Sequence, residues 1–240
     1  MRWMLILFTV GVLGLSGFAG WFFFGGPEDD PTRRAMNAHI SRIEAKIPEA
    51  EAGNVKAQFE LAQLYHNGDH IEADPKAAFK WYSKAAETGH VGAQYFLGTM
   101  YANGEFVRQD YFRASEWYRL ASNLGRHADA QLALGDLYFK GLGVAHGYAE
   151  ALAWYKKSAL RGHPVAQYRL GAMYAEGYAG GLDAVEAYKW FTLAMAGQSQ
   201  VKAYDSRLDP KAARERMAAG MNQNQIKRAR DAASRFRPQK

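Results

Sequence analysis

From residue 57 onward apolar residues fall three and four apart: Ala57, Leu61, Leu64 and Tyr65 share one stripe of a helix. Gly68 predicts the end of that helix, because glycine enters the left-handed conformation of a C-terminal cap without a steric penalty. A second apolar set, Ala78, Trp81, Tyr82 and Ala85, predicts a second helix, with Asp74 as its cap and Pro75 in its first turn. The whole pattern then returns three times. AQFELAQLYHNG from 57 is followed by AQYFLGTMYANG from 93, AQLALGDLYFKG from 130 and AQYRLGAMYAEG from 166, with starts 36, 37 and 36 residues apart. Leu61, Leu97, Leu134 and Leu170 are each followed by a small residue (Ala62, Gly98, Gly135, Gly171) that lets another backbone approach closely. After the loop glycines Gly68, Gly104, Gly141 and Gly177 stand Ala78, Ala114, Ala151 and Ala187, then Trp81, Trp117, Trp154 and Trp190. Gly89, Gly125, Gly162 and Gly197 close the blocks. One such hairpin cannot bury its apolar faces, whereas stacked copies can, so the repeat predicts an all-α, curved solenoid.

The repeats occupy residues 53–202 as units 57–92, 93–129, 130–165 and 166–202. Before them, residues 27–52 read as a linker and an N-terminal capping helix. PEDDP at 27–31 is polar, and Met36, Ile40, Ile43 and Ile47 share one face of a helix from Thr32 to Ile47. After them, residues 203–240 read as basic capping helices: Asp209 and Pro210 start one that Gly220 ends, and Asn222 starts another reaching Phe236. The fourth unit is one residue short between Trp190 and Gly197, which predicts looser packing there.

Residues 3–26, WMLILFTVGVLGLSGFAGWFFFGG, carry no charge. As a helix, 24 residues reach roughly 36 Å, enough for a hydrocarbon core of about 30 Å. Aromatic residues stand at both ends, Trp3 and the cluster from Trp21 to Phe24, where interfacial belts belong. The segment predicts a single-pass anchor, with residues 1–2 as a cytoplasmic stub and the repeats outside, in the periplasm of a bacterium. The rival is a signal peptide cleaved at Gly17-x-Ala19, but continuation of the apolar run through WFFF favours a retained anchor.

The net charge of +6 is unevenly spread. From Arg207 to the end ten Lys or Arg face only Asp209, Glu215 and Asp231, so the rest of the chain is close to neutral. The basic end reads as a solvated helix face, and with little aromatic interleaving it does not predict nucleic-acid binding. The absence of cysteine excludes disulfides, thiolate metal sites, a cysteine nucleophile and a lipid-modified cysteine.

The pattern A-Q-x-x-L-G-x-x-Y-x-x-G, then A-x-x-W-Y and a closing Gly-His (literal at Gly89–His90 and Gly162–His163), resembles the Sel1-like repeat (SLR) family, relatives of the tetratricopeptide repeats. The resemblance covers residues 53–202, and MNQNQIKRARDAASRF is similar to the capping helix that follows such arrays in bacterial members. Departures are Ala62 where glycine is usual and a first loop without its second glycine. The resemblance implies a right-handed superhelix that serves protein–protein interaction, as bacterial relatives do as adaptors of the cell envelope, rather than an enzyme. It also implies that the first helix of each unit lines the concave face. Variable positions on those helices are then candidates for contact with a partner protein: Glu60, Gln63, Phe96, Thr99, Ala133, Asp136, Arg169 and Ala172. Phe96 is expected to be exposed and to act as an anchor for the partner.

Candidate chemistry is sparse. His66 and His70 are four apart, but Gly68 between them interrupts the helix, which argues against a metal pair. Ser199 and Lys202 match S-x-x-K, the nucleophile pattern of β-lactamase-like hydrolases, without an accompanying S-D-N or K-T-G, and fall in what reads as a linker. His90 and His163 are expected to cap helix C-termini. No cofactor is implied. A structural protein binding envelope polysaccharide would need exposed rings outside the repeat positions, and Phe96, Phe106, Phe112 and Tyr178 are the few available.

Overall fold

The computed structural model describes residues 30–68, 72–124, 126–178 and 180–239. It is helical throughout, with no strand among the described residues. The elements are α1 (Pro31–Glu51), α2 (Val55–Asn67), α3 (Pro75–Glu87), α4 (Val91–Asn103), α5 (Tyr111–Leu124), α6 (Ala128–Lys140), α7 (Tyr148–Leu160), α8 (Pro164–Ala175) and α9 (Ala184–Ala194). A 3-10 turn (Met195–Gly197) leads into α10 (Gln198–Tyr204), α11 (Pro210–Ala219) and α12 (Gln223–Arg235). Pairs α2–α3, α4–α5, α6–α7 and α8–α9 are the four hairpins, and α3–α4, α5–α6 and α7–α8 stack one hairpin on the next. The result is an α-solenoid of repeats.

The recurring residues have specific duties. Leu61, Leu97, Leu134 and Leu170 are buried, and Gly68, Gly104 and Gly141 take left-handed φ values of 64°, 72° and 66° at the ends of the first helices. A methyl group on Gly135 would lie 2.5 Å from two ring carbons of Tyr155, and one on Gly98 2.7 Å from Tyr118. Here the small residue lets the second-helix aromatic lie flat against the first helix. The recurring glutamine joins neighbouring units: the Nε2 atoms of Gln94 and Gln167 donate at 3.3 Å to the carbonyls of Ala86 and Ala159, at the ends of the preceding helices. Each of these carbonyls also accepts from a turn amide, that of Gly89 or Gly162 at 2.9 Å, so the glutamine fills a second acceptor site and ties the next unit to the helix end.

Several expectations need correction. Gln58 donates in the same way to Ala50 at 3.0 Å, so α1 docks as the second helix of an incomplete leading unit rather than as a simple cap. It begins at Pro31, with the Asp30 carboxylate accepting from the Thr32 amide, so the polar linker ends earlier than expected. His90 and His163 cap the N-terminus of the following helix, not the C-terminus of the preceding one. Their Nδ1 atoms accept from the amides of Ala93 and Ala166 at 3.2 and 3.3 Å, the place that Asn54 holds in the first unit.

The fourth unit is not loosened by its missing residue. Trp190 is 3 % exposed, its Nε1 donates to Glu186 at 2.9 Å, and Phe236 meets its ring edge-on at 5.7 Å. The 3-10 turn takes up the deletion by running straight into α10 instead of turning through a left-handed glycine. Trp117 and Trp154, in the interior units, are only half-buried. α11 and α12 both pack on α9, as terminal caps should.

No helix among the described residues is long and apolar enough to cross a membrane. The expected anchor at 3–26, the stub before it, His70 and Gly125 lie outside the described residues.

Candidate functional site: a groove along the first helices

The first helices α4, α6 and α8 line a groove of about 690 Å³, which α10 borders with Tyr204. Its floor carries two polar clusters. At one end the Nδ1 atom of His163 is occupied by the Ala166 amide, so Nε2 carries the proton and donates to Asp129 at 3.0 Å. That bond holds the Asp129 carboxyl below its ordinary value against the opposing effect of burial. Beside it His127 stacks on Tyr95 at 4.6 Å, and burial disfavours its charged form.

At the other end Asp136 gathers three partners. Its carboxylate accepts from the hydroxyl of Tyr155 at 2.6 Å and from that of Tyr204, while the Nε atom of Arg169 stands 3.6 Å away. Although its ring is half exposed, the Tyr204 hydroxyl is enclosed beside Asp136, and this desolvation with the negative charge of the carboxylate pushes it above its ordinary value.

The eight expected contact residues are all half-buried, but they do not form one surface. Thr99, Ala133 and Asp136 line the groove, and Arg169 meets it through Asp136. Glu60 and Gln63 face a separate pocket of about 450 Å³ between α1 and α2, where Glu60 is ion-paired with Lys46 at 2.7 Å. Ala172 packs against the core of the last two units. Phe96 is not the exposed anchor expected of it. Its ring stacks on Tyr82 at 5.1 Å and 8° and touches those of Phe59, His66 and Tyr95, which makes it a core contact between units.

Tyr95, Asp129, His163 and Tyr204 also belong to the groove, beyond the positions that the repeat pattern points to. Asp129 carried a faint signal as the acidic residue in the first turn of its helix, but Tyr204 carried none, because α10 departs from the repeat.

The remaining candidates fall elsewhere. Ser199 and Lys202 lie on α10, not in an irregular linker, and the ammonium of Lys202 is 3.3 Å from Asp209. No group that could hold a metal ion occurs among the described residues. Phe106, Phe112 and Tyr178 are 51 %, 59 % and 39 % exposed, but Phe106 leans on Phe79 and Tyr178 on Tyr148, at 5.6 and 4.3 Å.

Stacked helical hairpins with a groove along their first helices define a tetratricopeptide-like repeat protein. The chain belongs to the Sel1 repeat family, whose repeat matches residues 55–90, 91–125, 128–163 and 164–197. It is similar to a protective antigen of uropathogenic Escherichia coli with an SLR fold, at 30 % identity and a TM-score of 0.70 over 81 % of this chain. The chain spans 40 % of the length of that protein. It is also similar to a Sel1 repeat protein of Oxalobacter formigenes, at 27 % identity and a TM-score of 0.58, covering 80 % of this chain and 88 % of that one. Comparison with curated proteins gives no match. Sel1 repeat proteins generally serve as non-enzymatic scaffolds for protein–protein interaction.

Proposed function

We propose that this chain is a membrane-anchored scaffold of a bacterial cell envelope that holds a segment of another protein in the groove along α4, α6 and α8. The observation that carries the reading is the groove itself. It has room for several side chains, is lined by both aromatic and polar groups, and lies on the helices that successive repeats present in register. The uncharged run at 3–26 supports an inner-membrane anchor, with residues 27–240 on the periplasmic side.

Position-specific photo-crosslinking in cells tests the groove. A photoreactive residue at Thr99 or Ala133, inside it, should capture a protein, whereas one at the exposed Lys156 on α7 should not. Equal capture from all three positions, or capture from Lys156 alone, would overturn the reading. Topology has its own test. A reporter active only after export should work when fused after Lys240, and the mature chain should begin at Met1 or Arg2. Cleavage after Ala19 would remove the anchor from the proposal.

A further inference from the structure

Tyr204 is unlike the other aromatic residues around Asp136. Tyr155 is a core residue, 1 % exposed, held between α6 and α7. Tyr204 is 46 % exposed and comes from 68 residues away along the chain. It is delivered by a seven-residue helix, α10, whose only buried side chain is Val201. The receiving site is far better built than the element that enters it. Asp136 has only 13 % of its side chain exposed, and it lies at hydrogen-bond distance from the Tyr204 hydroxyl. The Arg169 guanidinium lies over the Tyr204 ring at 5.7 Å, while its buried Nε makes no hydrogen bond of its own. The phenol is thus recognised twice, at its hydroxyl by a carboxylate and at its ring face by a cation.

We infer that the Asp136–Arg169 pair is a receptor for a tyrosine side chain, filled in this chain by its own Tyr204, and that a partner segment in the groove displaces Tyr204 by presenting a tyrosine of its own. The inference rests on the groove reading and adds the residue that the groove recognises.

Charge, the need for a donor and the need for a ring together favour a side chain like the tyrosine already seated there. A lysine or arginine would bring a second cation against Arg169, and a glutamate or aspartate a second anion against Asp136. Phenylalanine has no donor for the carboxylate, and serine has no ring for the guanidinium. Exchange of one tyrosine for another keeps every bond at the hub and loses only the weak docking of α10. The site also opens directly onto the groove, whose lining includes both Asp136 and Tyr204.

The test removes the internal occupant and supplies a free one. Full-length Tyr204→Ala is titrated with p-cresol, the tyrosine side chain as a separate molecule, and binding is followed by ligand-detected NMR. Tyr204→Ser is run in parallel, so that the result does not depend on one variant folding. Both variants should bind p-cresol saturably, and about tenfold more tightly than they bind toluene, the difference expected for one hydrogen bond to a charged acceptor. The parent and Tyr204→Ala/Asp136→Ala should show the same loss. Equal binding of p-cresol by parent and variants, equal binding of toluene, or no binding by either folded variant would overturn the receptor.

A second arm tests displacement. Capture from Ala133 in cells should rise when Tyr204→Ala opens the site, and an unchanged or reduced yield would overturn competition with a partner. The NMR titration reads the hub without any partner, and the positional pattern of crosslinks reads the groove. Failure of the tyrosine receptor is therefore distinguishable from failure of the scaffold reading.

Discussion

Replacing Trp190 by alanine should be among the most damaging single changes to this array. The side chain is 3 % exposed, so the substitution empties a fully enclosed site between α8, α9 and the C-terminal caps. Truncating a buried tryptophan costs about 3–5 kcal/mol. Two further losses place Trp190 at the upper end of that range: the bond from its Nε1 to Glu186 at 2.9 Å and the edge-on contact with Phe236. Trp117 and Trp154 are half-buried in the folded state, so the same change there forfeits about half as much transfer energy, roughly 2 kcal/mol each. For a chain of this size each kcal/mol shifts the melting temperature by about 2–4 °C, which gives about 10–20 °C for Trp190→Ala and about 4–8 °C for the others. The assay is thermal unfolding followed by far-UV circular dichroism, which does not depend on tryptophan as a probe. Amide hydrogen exchange then locates the damage. Because a repeat array loses structure unit by unit, protection should fall first in α8, α9, α11 and α12, with α2 to α5 spared. A shift for Trp190→Ala no larger than that for Trp117→Ala would refute the reasoning.

The histidine cap predicts a pH dependence. His90 accepts a hydrogen bond at Nδ1, and burial lowers its affinity for a proton below the ordinary value of 6.5. Its contribution is therefore fully present above pH 6.5 and is lost as pH falls toward its lowered folded value. His90→Asn keeps a capping acceptor, as Asn54 does in the first unit, and should flatten part of this acid slope, leaving the part due to His127. An unchanged slope in urea unfolding between pH 7 and 5 would count against the assignment. The C-terminal cap should prove structural: a chain ending at Met221 loses the bond from Arg230 to the Tyr188 hydroxyl (3.2 Å), that from the Gln239 amide to Leu160 (2.8 Å), and Phe236 against Trp190. Its melting temperature should fall, with α9 losing amide protection first, and an unchanged melt would mean that α12 is not a cap.

Much of the architecture was legible in the residues alone, because its causes are local. Helix periodicity, a glycine at each turn and caps such as Asp74 and Asn222 act within one or two turns of the chain, so four repeats give four helical hairpins, whereas α10 carried no such local signal. Repetition then implied the stacking, since the units have no other way to bury their shared faces. The half-unit formed by α1 emerged only from the structure, where Gln58 reaches Ala50 across the same eight residues that separate Gln94 from Ala86. What lines the groove was another matter. A position that varies among repeats can face a ligand or pack across a unit boundary, and only the neighbouring unit decides which. Phe96 is turned into a contact between units because Phe59, His66 and Tyr82, all from the preceding unit, reach its ring. Asp136 is engaged because a short, non-repeating helix 68 residues further on returns Tyr204 to it. The shortened turn at Gly197 likewise left the fourth unit packed, since the chain winds on as a 3-10 helix and α11 and α12 then pack on α9. Sequence determined the unit and its repetition through local forces, and tertiary structure decided which faces remain open, because that depends on elements that meet only after the chain has folded.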